Sequence, residues 1–169
     1  MDNTFIECMV RRDDKQQRII KKVGIIVGLL VINVLALNFL TAFYSVVIGA
    51  SAIFLFLFWR RIGQEFEYIY TDGLIDIDVI YGQSSRKRLL SADAKNFTFI
   101  APADSKTHQH EIEAKYDKTI DAGSGKINEK SYVGIVKVED KMVKLIFEPN
   151  DRILAALKRY IPRKFEARV

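Results

Sequence analysis

Between residues 23 and 59 the mixing of polar and apolar positions stops, and 37 consecutive residues hold no Asp, Glu, Lys or Arg. A single helix over that run would be ~55 Å long at about 1.5 Å per residue. The hydrocarbon core of a bilayer is about 30 Å thick and takes roughly 20 apolar residues per crossing. One straight span is too long, whereas two short spans with a tight reversal fit. The pattern predicts a transmembrane helical hairpin over residues 23–61, broken near residues 38–44.

After Gln64 the pattern changes to alternation. Phe66, Tyr68 and Tyr70 fall on one face of a strand, and Ile75, Ile77 and Val79 alternate with Asp76 and Asp78 in the next. Thr71-Asp72-Gly73 between them is a turn signal, because Gly tolerates positive φ. Tyr81-Gly82-Gln83 turns again, and Arg86 to Leu90 reads as a third strand. Phe97 and Phe99 alternate in a fourth. Residues 101–130 are the least regular, with a short strand expected over residues 111–116 and a polar loop over residues 117–130. Tyr132, Val136 and Val138, then Val143, Leu145 and Phe147, give two more strands about the Glu139-Asp140-Lys141 turn. The last element is a helix. Asn150 suits its N-cap, Asp151 its first turn, and Ile153, Leu154, Leu157, Tyr160 and Ile161 recur at helical spacing before Pro162 stops it. Residues 1–22 are polar, with Phe5/Met9 and Ile6/Val10 four apart. They read as a cytoplasmic segment, either an interfacial amphipathic helix or a loosely ordered tail.

The fold class is therefore α+β. A transmembrane hairpin precedes an antiparallel β-sandwich or partial barrel over residues 64–169, capped by a C-terminal helix.

Charge sets the topology. Arg11, Arg12, Lys15, Arg18, Lys21 and Lys22 precede the apolar run, and Arg60 and Arg61 follow it. Basic flanks stay on the cytoplasmic side, so two crossings with both termini cytoplasmic are expected at the cell membrane. The whole chain carries net +5, but the excess lies at these flanks. That pattern excludes a nucleic-acid face and leaves membrane lipid as a partner. The single cysteine, Cys8, rules out an internal disulfide and suits a reducing compartment. No ionisable residue lies inside either span, which argues against an ion or proton path.

Glu67-Tyr68-Ile69-Tyr70-Thr71-Asp72-Gly73-Leu74-Ile75-Asp76-Ile77-Asp78, followed by Ser85-Arg86-Lys87-Arg88, resembles small, functionally uncharacterised bacterial membrane proteins. These carry a two-helix hairpin ahead of a bacterial PH-like domain. The resemblance covers nearly the whole chain and implies the pleckstrin-homology-like fold. It brings no catalytic residues. Eukaryotic PH domains often hold phosphoinositides with basic residues in the first hairpin loop. Thr71-Asp72-Gly73, taken as that loop, is acidic and departs from this pattern.

Candidate contacts follow from charge and size. Arg86, Lys87 and Arg88, with Arg60 and Arg61, are candidates for anionic headgroups; a solvated edge strand explains the first three more simply. Gly24 and Gly28, and Ser45 and Gly49, are small-xxx-small pairs, for packing within the hairpin or for self-association. Asn33 is placed to bond across to the second span. His108 and His110, two apart near Glu111, Glu113 and Asp104, share one face if extended, but their spacing is no recognised zinc pattern. Without a phosphate loop, a catalytic triad motif or a cofactor motif, the reading is a non-catalytic, membrane-anchored interaction module that binds lipid headgroups, a protein partner or itself. An accessory subunit packing through its hairpin is the alternative, and an enzyme using residues 101–130 comes third.

Replacing Leu30 by Arg, at mid-helix in the first span, should cost about 2.5–3.5 kcal/mol of insertion. The check is membrane-integrated yield after carbonate extraction; an unchanged yield would mean that residues 23–38 do not cross a bilayer.

Overall fold

The structure is a computed structural model and describes residues 5–13, 15–59, 63–82 and 85–168. Arg60, Arg61 and Gln83 lie outside the described residues.

The first element is a strand, β1 (Phe5–Arg11). The segment read as an interfacial helix or loose tail instead pairs antiparallel with β2 (Gln64–Thr71) along its whole length, from Phe5 opposite Thr71 to Arg11 opposite Glu65. Its residues also alternate: Ile6, Cys8 and Val10 pack on the core, while Phe5, Glu7, Met9 and Arg11 point away. Over seven residues a period of two and a spacing of four both fit. The available partner strand decides between them.

Between β1 and β2 stand the two apolar helices, α1 (Lys15–Phe39) and α2 (Tyr44–Trp59). The chain breaks at Leu40 and makes a short 3-10 turn over Thr41–Phe43, inside the window where a reversal was expected. Both helices are long and apolar enough to span a bilayer, and only 6% and 0% of their most apolar windows are buried. Asn33 Nδ2 donates to Ser51 Oγ at 3.0 Å across the hairpin and to Leu29 O at 2.8 Å. Lys22 Nζ lies 4.3 Å from the Trp59 ring centroid, so a cation and an indole join the open ends of the two helices.

The remaining chain forms two sheets. The first has the order β1-β2-β3-β4, with β3 (Leu74–Tyr81) and β4 (Ser85–Asp93). The second is β5-β7-β8-β6, with β5 (Phe97–Pro102), β6 (Lys118–Asp121), β7 (Tyr132–Val138) and β8 (Lys141–Phe147). The β6 strand runs parallel to β8 and lies in the stretch read as a polar loop. Residues 111–116, expected as a strand, begin inside the short helix α3 (Gln109–Glu113). With residues 103–116 this helix covers the outer face of the second sheet, where Phe99, Ala101, Val133 and Ile135 form a second apolar cluster.

Phe97 and Phe99 do not share a face. A register shift between them turns Phe97 into the main core and Phe99 onto the outer cluster. Phe97 lies over Gly134, where a Cβ would come within 2.6 Å of its ring. The Thr71–Leu74 turn needs positive φ at both central residues, Asp72 (46°) and Gly73 (96°). The last helix, α4 (Asp151–Tyr160), is capped as expected, with Asn150 Oδ1 accepting from Ile153 N at 2.9 Å. Ile153 and Leu157 close the core between the sheets.

Because β1 and β2 flank the hairpin, residues 64–169 lack one edge strand of their own sandwich. Replacing residues 14–62 by a short Gly-Ser turn should give a water-soluble domain with a single cooperative melt. A chain starting at residue 64 should melt lower or fail to fold, since Ile6, Cys8 and Val10 leave the core. Equal melting temperatures for the two would show that β1 contributes nothing.

Candidate functional site

The sheet places one end of the sandwich beside the hairpin. β1 leads into α1 after Asp13, and β2 begins soon after α2. Tyr81 pairs with Gln64 at the same end, and Gly82 N donates to Gly63 O at 3.0 Å. The β3–β4 connection, the start of β4 and the open ends of the two helices therefore lie together. The Thr71-Asp72-Gly73 turn is at the opposite end. It is the second strand connection of the sheet, not the first; the first is the helical hairpin itself.

The basic run at the start of β4 is not an open cationic patch. A bulge between Ile77 and Asp78 shifts the register, so that Arg88 stands opposite Asp78 on the outer face of the sheet. Arg86 Nε and Arg88 Nε donate to the two oxygens of Asp78 at 2.6 and 2.9 Å. Arg86 also pairs with Glu67, and Arg88 with Asp76 at 3.2 Å. The arginine stems lie over Asp78 and Glu67, leaving them only 3% and 6% exposed. Strict alternation would have put Arg86 and Arg88 on the face of Leu90, which points inward. The bulge moves them out, and sequence reasoning had no signal for it. Lys87 takes no part in this network and is exposed.

The network sets two carboxyls apart. Burial alone would raise Asp78, but hydrogen bonds and charge from Arg88 and Arg86 bring it below the usual carboxylate range. Burial raises Glu67, a hydrogen bond and charge from Glu7 raise it further, and Arg86 only partly opposes this.

Behind β1, a polar knot holds the 123–131 loop. Glu148 Oε1 accepts from Ser124 N (3.0 Å), Ser124 Oγ (2.7 Å), Asn128 Nδ2 (3.1 Å) and Ser131 Oγ (3.3 Å). Tyr68, fully buried, donates its hydroxyl to Ala122 O at 2.6 Å and accepts from Glu148 N at 3.2 Å. Arg12 reaches Asp121 Oδ2 at 2.8 Å and Asp121 O at 3.1 Å, and Asp13 N donates to Ser124 O at 2.7 Å. The sequence predicts a polar loop here but gives no sign of what holds it: Glu148 lies 17 to 24 positions away, and Arg12 lies 109 positions from Asp121.

The other candidates fall elsewhere. A Cβ at Gly24, Gly28 or Gly49 would meet nothing within 4 Å, so these glycines do not pack within the hairpin. Ser51 and Asn33 make the polar contact there instead. His108 is not on a strand: its ring stacks on Phe99 with centroids 4.2 Å apart, and Nε2 is 3.6 Å from Glu166. His110 is in α3. A groove of about 700 Å³ follows the free edge of β1 from Cys8 to Arg11, walled by Tyr132, Pro149 and Leu154.

A family model described as Bacterial PH-like domain (DUF6106) matches residues 2–167. No curated protein matches the chain, and no solved structure does.

The two carboxyls should respond oppositely to pH. Glu67, with its folded pKa raised, stabilises below its unfolded value of 4.5 and loses that contribution as pH rises through the folded value. Asp78, with its folded pKa lowered, stabilises above its unfolded value of 3.8 and loses that as pH falls. Glu67→Gln should therefore raise the urea midpoint at neutral pH, with the gain shrinking in acid. Asp78→Asn should lower it at neutral pH, with the loss shrinking in acid. Parallel pH profiles for parent and both variants would contradict the assignment.

Proposed function

Since the chain belongs to the bacterial PH-like domain family (DUF6106), we propose that it is a membrane-anchored, non-catalytic PH-like interaction module. One observation carries this reading. The sandwich closes its core without α1 or α2, while the hairpin leaves almost all of its apolar surface uncovered. Surface of that extent needs an apolar solvent. A bilayer supplies it, and the basic flanks support a reading in which both termini and the sandwich are on the cytoplasmic side of the cell membrane.

The non-catalytic part rests on how the buried polar groups are used. Asp78, Tyr68 and Glu148 are committed to structural bonds, as is the start of β4. Of the basic run, Lys87 remains for headgroups. The free edge of β1 and its groove suit an extended peptide, which would add backbone hydrogen bonds to the sheet.

A second reading has support of its own. Gly24, Gly28 and Gly49 present open faces on the hairpin, and small residues allow another helix to approach closely. An accessory subunit of a larger membrane complex, or a self-associating chain, would use them.

Crosslinking in native membranes, followed by capture with two baits, separates the readings. The module reading expects the crosslinked partner to bind the soluble domain in which residues 14–62 are replaced by a turn. The accessory reading expects capture only by chains that retain the hairpin, with loss on Gly24→Leu and Gly28→Leu. A chain recovered wholly in the soluble fraction would overturn both.

A further inference from the structure

We infer that the 123–131 loop is a docking brace: Ile127, with Lys126 and Lys130, contacts the anionic headgroup layer of the membrane that the hairpin spans. This rests on the anchored reading above and deepens it by naming the contact surface and its ligand.

The first observation is position. Asp13 N donates to Ser124 O at 2.7 Å, and Arg12 clamps Asp121 at the end of β6, just before the loop. A Cβ on Gly125 would lie 3.5 Å from Arg12 Nε. α1 begins at Lys15, and its apolar run begins at Val23, about 12 Å further along a helix at 1.5 Å per residue. Lys22 over Trp59 marks the level where the apolar part starts. The base of the loop is therefore tied to the chain just before it enters the headgroup layer. Three residues from Ser124 to Ile127 add up to about 10 Å of reach.

The second is chemistry. Ile127 is 67% exposed, the most exposed large apolar side chain outside α1 and α2 among the described residues. Lys126 and Lys130 flank it and are exposed, with Glu129 as the opposing charge. An apolar tip between lysines matches an interface that is oily below and anionic above.

The third is rigidity. Four donors converge on Glu148, and Asn128 Oδ1 accepts from Lys130 N at 2.7 Å. The loop is held in one shape before it meets lipid, so docking costs little further ordering.

The fourth is mechanical. β1 and β2 are neighbours, and strands lie about 4.8 Å apart. The sandwich is thus tied to the hairpin along one narrow line, the paired ends of β1 and β2 at Arg11 and Glu65. A contact away from that line is needed to fix the tilt of the sandwich, and this loop lies on the side of the second sheet.

The test uses the full chain with Cys8→Ser, reconstituted in vesicles of phosphatidylcholine with phosphatidylglycerol. A fluorophore is placed by Ile127→Cys, by Leu74→Cys at the far end of the sheet, or by Leu30→Cys within the first span. Spin-labelled lipids then report depth by quenching. Quenching is expected from shallow labels at 127, from deep labels at 30 and from neither at 74. Lys126→Ala and Lys130→Ala should each lower the docked-to-undocked ratio at 127 about fivefold, the factor for one lysine near an anionic surface. Pure phosphatidylcholine should lower it at least as much. Quenching at 30 with none at 127 overturns the brace and leaves the anchor standing. No quenching at 30 overturns the anchor and the brace with it. Quenching at 127 that ignores both lysine changes and lipid charge overturns the headgroup contact.

Discussion

The pairing of β1 with β2 is the constraint on which the rest of the structure depends. Seven residues on each side of a long apolar insertion meet in strict register. That register fixes which end of the sandwich lies at the hairpin and which lies away from it. It also turns an N-terminal segment whose spacing fits a helix equally well into part of the core. Two packed helices run about 8–10 Å apart, and neighbouring strands about half that. A preformed helical hairpin brings its own ends together, so the sheet does not bear the closure entropy of a floppy loop of that length.

The charges on the first sheet serve the protein before they serve any ligand. Placing Asp76, Asp78 and Glu67 on one face would be costly if they stood alone, because like charges across strands repel. Arg86 and Arg88 answer them, and their stems shield the carboxylates from water. A basic triplet that suggests headgroup binding in one dimension is thus largely neutralised in three. A second polar centre, Tyr68 with Glu148, ties the middle of β2 to the end of β8 and to the 123–131 loop. The two centres divide the polar interior between them. One stiffens the outer face, and the other stiffens the loop nearest the hairpin.

The sequence alone determined the elements whose pattern is long or whose turn chemistry is local. A charge-free run of that length has no other stable solvent than lipid or a very large core, and its reversal lay inside the 38–44 window that its length required. The strands from Gln64 to Tyr81, the Asp72-Gly73 turn and the capped helix at Asn150 were equally legible, because each is set by neighbours in the chain. Asn33 reaching across the hairpin was legible too, since an amide among apolar residues has few partners to choose from.

Tertiary structure decided what depended on distant partners. Phe5–Arg11 became a strand because β2 offered an edge. Lys118–Asp121 became a strand because β8 offered the other, against a composition that reads as loop. Two register shifts, at Asp78 and at Phe97, moved Arg86, Arg88 and Phe99 to faces that simple alternation does not give them. The loop around Ile127 acquired a shape and a place only when Glu148, Arg12 and Asp13 closed on it. Periodicity reports which faces a segment can offer; which face is used is set by the element across the gap, and that element can lie anywhere in the chain.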